Sequence, residues 1–199
     1  MDNYQIIAAS FQQTIEAAAM SVDALAGPIE EAAALMTRAL LDDGKILACG
    51  NGSDSALAQL FAGTLLDRHE RERPALPALA LGGDAVSISA IARAGDAADI
   101  YSRQLRALGQ AGDVLLYINS AGGDISMLRA VQAARERDMG VIALTSSYDD
   151  ELATLLQAGD VELRINAPGR ASIVELQLMV IHCFCALIDH GLFGGYYED

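Results

Sequence analysis

The fold is decided by the run Lys45-Ile46-Leu47-Ala48-Cys49-Gly50-Asn51-Gly52-Ser53-Asp54-Ser55. Its first half is apolar and ends at a glycine, which is typical of a buried strand that enters a tight loop. A helical pattern begins at Ser55, and the N–H groups at the start of such a helix can bind an anion. The loop lacks the third glycine of a dinucleotide fingerprint and the Gly-Lys pair of a P-loop. By spacing alone it predicts either a ligand-binding loop or a structural turn.

Further short apolar runs predict four more strands, at residues 79–81, 114–118, 141–144 and 161–165. Helical patterns lie between and after them, at residues 55–66, 85–93, 100–108, 125–137, 151–156 and 171–190. This alternation favours an α/β fold with parallel strands and helices on both faces of the sheet. Ligands of such sheets bind beyond the carboxyl ends of the strands, so we expect the site in the loops there. The last strand alternates in polarity, which predicts a place near an edge.

Two leading amphipathic helices are predicted before the first strand. Apolar residues recur at three- and four-residue steps from Ile7 to Ile15, and Gly27-Pro28 interrupts the pattern before a second stripe reaches Leu40. We therefore predict a single domain in three parts. These parts are an N-terminal helical pair used in oligomerisation (residues 1–43), an α/β core (44–190) and a C-terminal tail (191–199).

The composition restricts the class of function. The 199 residues include 13 Lys and Arg against 27 Asp and Glu, and the resulting net charge of −14 argues against direct contact with nucleic acid. The three cysteines have neither disulfide-framework nor metal-finger spacing, which favours a reducing cytosol. Charges interrupt the apolar stretches short of the ~18 residues that a membrane span needs, and the amino terminus lacks the pattern of a signal peptide. We expect a cytoplasmic protein without membrane contact.

A second loop, Asn119-Ser120-Ala121-Gly122-Gly123-Asp124, repeats the layout of the first. The chain resembles the SIS (sugar isomerase) domain family. The resemblance rests on these two loops and on residues 45–52, 72–81, 106–116, 139–145 and 182–189. Within this family, the chain resembles the branch that contains phosphoheptose isomerase and the DnaA initiator-associating protein DiaA. The resemblance implies a flavodoxin-like three-layer fold with a five-stranded parallel sheet, and a homotetramer with ligand sites shared between subunits. It places Asn51, Ser53, Arg68, Asp84 and Ser120 near a sugar phosphate, and we predict no cofactor.

The chain departs from the acid/base set that the resemblance implies. In the isomerases, the helix after the first loop carries a His and, one turn later, a Glu. The last helix carries a Gln and, eight residues on, a His. Here these four positions hold Leu60, Thr64, Val174 and His182. Because isomerisation moves a proton between adjacent carbons, it needs a base and usually an acid, so His182 is a catalytic candidate only if the chain is an enzyme. One imidazole makes no zinc site, and we predict no metal.

Two carboxylates, Asp54 and Asp124, stand where the loops of the family carry serines. A like-charge contact with phosphate near 4 Å costs ~4 kcal/mol at an effective dielectric constant of 20. Both residues lie at predicted helix starts, where aspartate is a good N-cap. We hypothesise that each caps its own helix and that the anion sites are closed to phosphate.

An apolar pair, Leu192 and Phe193, follows the last predicted helix. The pair can pack on its own fold or anchor a partner, since large apolar residues dominate binding hot spots. DiaA-like proteins share it, and the resemblance implies contact with DnaA. We therefore predict a non-catalytic, DiaA-like tetramer that binds several DnaA molecules through multivalency. The alternative is a phosphoheptose isomerase that converts sedoheptulose 7-phosphate to D-glycero-D-manno-heptose 7-phosphate, and a third possibility is a sensor of an unphosphorylated or differently charged sugar.

Overall fold

The computed structural model describes residues 2–194 and builds them around one sheet of five parallel strands in the order β2-β1-β3-β4-β5. The strands are β1 (Ile46–Cys49), β2 (Ala78–Ala80), β3 (Val114–Ile118), β4 (Gly140–Ser146) and β5 (Val161–Ile165). The helices are α1 (Asn3–Leu41), α2 (Ser53–Leu66), α3 (Ala85–Ala94), α4 (Ser102–Leu108), α5 (Ile125–Glu136) and α6 (Arg170–Phe193). The predicted parallel α/β fold is confirmed.

Two apolar cores cover the two faces of the sheet, which makes the fold a three-layer one. One core joins α1, α2 and α6 to side chains such as Ile46 and Leu116, and the other joins α4 and α5 to Leu47 and Leu115. Neighbouring residues of a strand thus point into different cores. Every residue of β1 and β3 is buried, as befits central strands. Strand β5 alternates and lies at an edge, as predicted.

The predicted pair of leading helices is wrong, because one helix of 39 residues, α1, runs through Pro28. A proline inside a helix removes one backbone hydrogen bond and costs about 3 kcal/mol. The face that carries Ala17, Leu25, Ala33 and Met36 is buried along α6. Burying Leu25 and Met36 alone contributes about 1.5–3 kcal/mol each, which offsets the cost of the proline. The predicted helix over residues 151–156 is also wrong, since only a 3-10 turn, Leu152–Thr154, forms there.

Helix α6 is the most apolar element of the chain. It contains an 18-residue window of mean hydropathy 2.0, so its length and composition would suffice to cross a membrane, contrary to our expectation from the sequence. Half of that window is buried inside the protein, where Ile173, Val180, Ile181 and Phe184 pack into the core shared with α1 and α2. The apolarity of α6 therefore serves the core.

Candidate active site

Two helices begin at one cleft. Ser53 is the first residue of α2, Arg170 is the first residue of α6, and both line a cavity of about 420 Å³ together with Ala171, Val174 and Glu175. The N-caps of both helices are glycines and give no side-chain hydrogen bond, although in α2 the N–H groups of Asp54 and Ser55 donate to the carbonyl oxygens of Asn51 and Gly52. Because the amino end of a helix carries a partial positive charge on unpaired N–H groups, two uncapped helix starts suit this cleft to an anion.

Arg170 joins the two loops that border the cleft. Its Nε donates to Ser120 Oγ at 3.0 Å, and its Nη2 donates to Ser53 Oγ at 3.3 Å. The guanidinium is exposed and adds a full positive charge beside the helix starts. The predicted sugar-phosphate residues Ser53 and Ser120 are thus brought together, and Arg170 is the site residue that the sequence analysis missed. Its only signal there was a basic residue at the start of the last helix.

Asp54 does not cap its own helix, contrary to our hypothesis. The residue is only 1% exposed and lies in the first turn of α2. Its carboxylate crosses to the second loop, where it accepts from Ser120 N and from Ser120 Oγ, each at 2.8 Å. The close approach depends on Gly50, since a Cβ there would lie 2.7 Å from the backbone of Asp54. One anion site of the second loop is therefore occupied from inside the protein.

Asp124 does cap its own helix, as hypothesised. Its Oδ1 accepts from Ser126 N at 2.8 Å, and its Oδ2 accepts from Asn51 Nδ2 at 2.6 Å. Burial by itself would raise the pKa of Asp124, but the hydrogen bonds from Ser126, Asn51 and the N–H of Met127 hold it below its ordinary value. Asn51 also accepts from Tyr101 Oη at 2.8 Å. Asn51 therefore links the first loop to α5 and to the segment before α4.

A cluster of buried polar side chains fixes the position of the second loop. Tyr117 Oη donates to Asp149 Oδ2 at 2.6 Å, and Asn119 Nδ2 donates to the same oxygen at 2.8 Å. Burial and the carboxylate of Asp149 raise the pKa of Tyr117 well above its ordinary value. Gly122 has a positive φ of 74° and passes so close to Tyr148 that a Cβ would lie 1.9 Å from its carbonyl oxygen. The loop can therefore adopt this path only with glycine at that position.

Two predicted sugar-phosphate residues lie elsewhere. Asp84 caps α3 by accepting from Val86 N at 2.9 Å, and it lines a different cavity, of about 730 Å³, beside the edge strand β2. Arg68 follows the carboxyl end of α2 and pairs with Glu72 at 2.6 Å. Within this chain neither residue joins Ser53 and Ser120.

His182 lies on the exposed side of α6, with its ring centroid 5.8 Å from that of His69. It comes twelve residues after Arg170, which at 1.5 Å per residue puts it about 18 Å farther along the helix. Thr64 uses its carbonyl oxygen to accept from Arg73, Leu60 is 39% exposed, and Val174 lines the cleft. The four positions offer one imidazole and no carboxylate, and residues 2–194 contain no cluster of three metal-ligating side chains. They do not fit a zinc ion.

The pair Leu192 and Phe193 is half-buried and packs against the core shared by α1, α2 and α6. The ring of Phe193 lies 5.7 Å from the Arg71 guanidinium carbon, and Arg71 also donates to the carbonyl oxygen of Gly194 at 3.0 Å. Within the described residues the pair is held on its own fold. The remainder of the predicted C-terminal tail, residues 195–199, lies outside them.

The sequence profile of the SIS domain matches residues 10–146, more than half of the chain. The chain belongs to the SIS domain family. It is 45% identical to the phosphoheptose isomerase of Methylococcus capsulatus over 98% of this chain and 100% of that protein. The structure of the Neisseria gonorrhoeae phosphoheptose isomerase is 40% identical and has a TM-score of 0.88, covering 94% of this chain and 99% of its own. That of the Francisella tularensis enzyme is 38% identical with a TM-score of 0.91, covering 96% and 100%.

These comparisons confirm the SIS domain and its branch, and they correct the predicted function. We predicted a non-catalytic DiaA-like module for DnaA, yet the full-length relatives and both solved structures named here are phosphoheptose isomerases. The isomerase that stood as the alternative is the better supported function. Asp54 binds Ser120 of the second loop and Asp124 caps α5, while α2 and α6 have no side-chain cap beside the cleft. That the loops are closed to phosphate stays a prediction.

Proposed function

We propose that this protein is an aldose–ketose isomerase that acts on a sugar phosphate. Its substrate would be sedoheptulose 7-phosphate and its product D-glycero-D-manno-heptose 7-phosphate. The observation that carries the proposal is the cleft at the starts of α2 and α6, lined by Arg170, in a chain whose full-length relatives are phosphoheptose isomerases. A cytoplasmic location, as expected from the sequence, fits a phosphorylated substrate.

The phosphate would bind on the Arg170 side of the cleft. A hydrogen bond from a charged group contributes about 1.5–3 kcal/mol. Each uncapped helix start contributes about 0.3–1 kcal/mol more. Repulsion by the Asp54 carboxylate opposes this by up to ~4 kcal/mol per unit of phosphate charge at 4 Å, and by less at greater distance. Glu175 adds a second carboxylate to the lining of the cleft. Because Asp54 is buried and Ser120 donates to both of its carboxylate oxygens, the phosphate can bind farther than ~4 Å from this carboxylate. The phosphate would therefore bind at the outer rim of the cleft, on the Arg170 side and away from both carboxylates.

The reacting carbons need a second subunit. In an extended seven-carbon sugar phosphate, the distance from phosphorus to the second carbon is roughly 8 Å. This value assumes that three consecutive bonds cover ~3.5 Å, as they do in an extended backbone. The distance is less than half of the 18 Å or so between Arg170 and His182 along α6. His182 of a neighbouring copy would therefore complete the site, and we propose the homotetramer that the resemblance implies. Its interfaces would cover the exposed apolar side chains of α1, which include Tyr4 (74% exposed), Phe11 (70%) and Ile15 (60%).

The test is turnover of sedoheptulose 7-phosphate by the purified full chain in D₂O. Isomerisation transfers a proton between the first two carbons, so product should form with deuterium at the second carbon. His182→Gln should lower kcat by about 10²–10⁴-fold, the usual contribution of a general base. His190→Gln, which changes an exposed histidine two turns farther along the same helix, is the matched control. Binding of the sugar phosphate without turnover or deuterium uptake would overturn the proposal.

The shared site has its own test, which uses mixtures of two weak variants. His182→Gln removes the reacting end of a site and Arg170→Ala removes the phosphate end. If both ends belong to one chain, co-expressed mixtures stay as weak as the variants alone. If they come from different subunits, mixed assemblies contain sites with both residues intact, and activity returns.

A further inference from the structure

A second imidazole faces the candidate base. The ring centroids of His69 and His182 lie 5.8 Å apart with an interplanar angle of 31°. His69 is half-buried in the segment that follows α2, and His182 is exposed on α6. Both rings lie at the end of the α2 and α6 pair opposite the phosphate cleft, beyond the position where the family's isomerases carry their Glu and this chain has Thr64.

Three arginines near His69 are directed to other partners. Arg68 pairs with Glu72 at 2.6 Å, and Arg73 pairs with Asp189 at 2.6 Å, with both of the latter side chains buried. Arg71 lies over Phe193 and donates to two carbonyl oxygens at the end of α6. The contacts of Arg71 and Arg73 fix the segment after His69 on α6, and the ring of His69 lies beside His182.

We propose that His69 and His182 form the acid–base pair of the isomerisation, an inference that rests on the proposed function. Neutral His182 takes a proton from the first carbon of the ketose while protonated His69 donates one to the second oxygen, which leaves an enediol. In the second half, His182 returns its proton to the second carbon and His69 takes the proton of the first oxygen. Both imidazoles regain their starting state, and the net change is one proton moved between carbons and one between oxygens.

Two imidazoles suit this chemistry without the missing glutamate. An imidazole can act as a base when it is neutral and as an acid when it is protonated. A lone His182 would have to serve as base and acid on adjacent atoms at once. A second ring less than 6 Å away divides the two roles. Thr64 and Val174, which replace the family's Glu and Gln, then need no acid/base function.

The experiment compares His69→Phe, His182→Gln and the double variant, with His190→Phe as the control. Phenylalanine keeps a ring packed beside residue 182 and removes only the titratable nitrogen atoms. We expect His69→Phe to lower kcat at least 100-fold with KM changed less than about threefold, because general acid catalysis contributes 10²–10⁴-fold. The double variant should be no slower than the slower single variant, since residues that act as one unit are strongly non-additive.

The possible outcomes separate the two proposals. If His69→Phe keeps wild-type kcat while His182→Gln loses it, the pair is disproved and the isomerase stands. If the losses of the two single variants multiply in the double variant, the rings act independently and the pair is again disproved. If wild-type protein shows neither turnover nor deuterium uptake, the proposed function fails first. Unchanged melting temperature and assembly size of each variant exclude loss of fold as the cause.

Discussion

The two ends of the α2 and α6 pair carry different ionisable groups. At the amino ends, fixed charges and helix dipoles surround an open cleft, with Arg170 outside and the buried Asp54 carboxylate inside. At the other end, the ion pair of Arg73 and Asp189 is buried, Arg68 pairs with Glu72 at the surface, and the imidazoles of His69 and His182 lie beside each other. A guanidinium suits the binding of a phosphate, and imidazoles, which can accept or donate a proton, suit proton transfer. The contrast therefore indicates a binding end and a reacting end.

The largest expected effect is on the scaffold of the histidine end. Arg73→Met leaves the buried Asp189 carboxylate without its partner and should lower the free energy of unfolding by about 3–5 kcal/mol. The double variant with Asp189→Leu removes both charges and should recover the part of the loss that comes from the unpaired carboxylate, but not the hydrogen bonds from Arg73 to the carbonyl oxygens of Thr64 and Leu65. Urea unfolding at one fixed protein concentration measures both. A double variant as unstable as Arg73→Met would show that packing, and not charge pairing, holds this end together.

The second prediction tests how the charge of Asp54 affects the binding end. Asp54→Ser leaves the N–H and hydroxyl of Ser120 short of an acceptor, which should cost about 1–3 kcal/mol of stability. Removal of the negative charge should strengthen the binding of inorganic phosphate, measured by calorimetry. Asp67→Ser removes the same charge at the far end of α2 and serves as the matched control. Equal changes in phosphate affinity for both variants would show that the Asp54 charge has no specific effect on anion binding in the cleft.

The binding end has a smaller but direct test. Arg170→Ala should weaken the binding of inorganic phosphate about tenfold, equivalent to ~1.4 kcal/mol. Arg93→Ala, which removes an exposed arginine on α3, should leave it unchanged. Arg170→Lys should retain part of the affinity, since lysine keeps the charge but loses the forked donors that reach both Ser53 and Ser120. If the two alanine variants bind equally, net charge alone attracts the anion.

The smallest effect concerns the closed helix start at α5. Asp124→Ala removes the N-cap and should cost about 1 kcal/mol at neutral pH. Because the folded pKa of Asp124 lies below the ~3.9 of an unfolded chain, its carboxylate stabilises the fold above that pH. This contribution disappears as the pH falls through the lower folded value. Wild type and variant should therefore converge in acid unfolding, whereas Asp124→Asn, which keeps a cap acceptor, should lose less. A difference that persists at low pH would contradict the carboxylate's role.

Much of the fold follows from local patterns. The first strand, Ile46–Cys49, begins and ends where the apolar run predicts, and the edge position of β5 follows from its alternation. The single helix α1 was not predictable in this way, because a Gly-Pro pair breaks most isolated helices. Only burial of its apolar face along α6 makes the uninterrupted helix favourable.

For the site, the sequence alone determined the two glycine-containing loops, Ser53 and Ser120 within them, and the absence of the family's His, Glu and Gln at residues 60, 64 and 174. Only the tertiary structure decided which charge meets which loop. Asp54 and Asp124 look alike as helix-start aspartates, yet one crosses to Ser120 and the other caps its own helix. Arg170 and His69 reach their partners from 50 and 113 residues away. Contacts over such distances depend on the packing of α2, α6 and the sheet, because local propensity acts only over a few neighbouring residues.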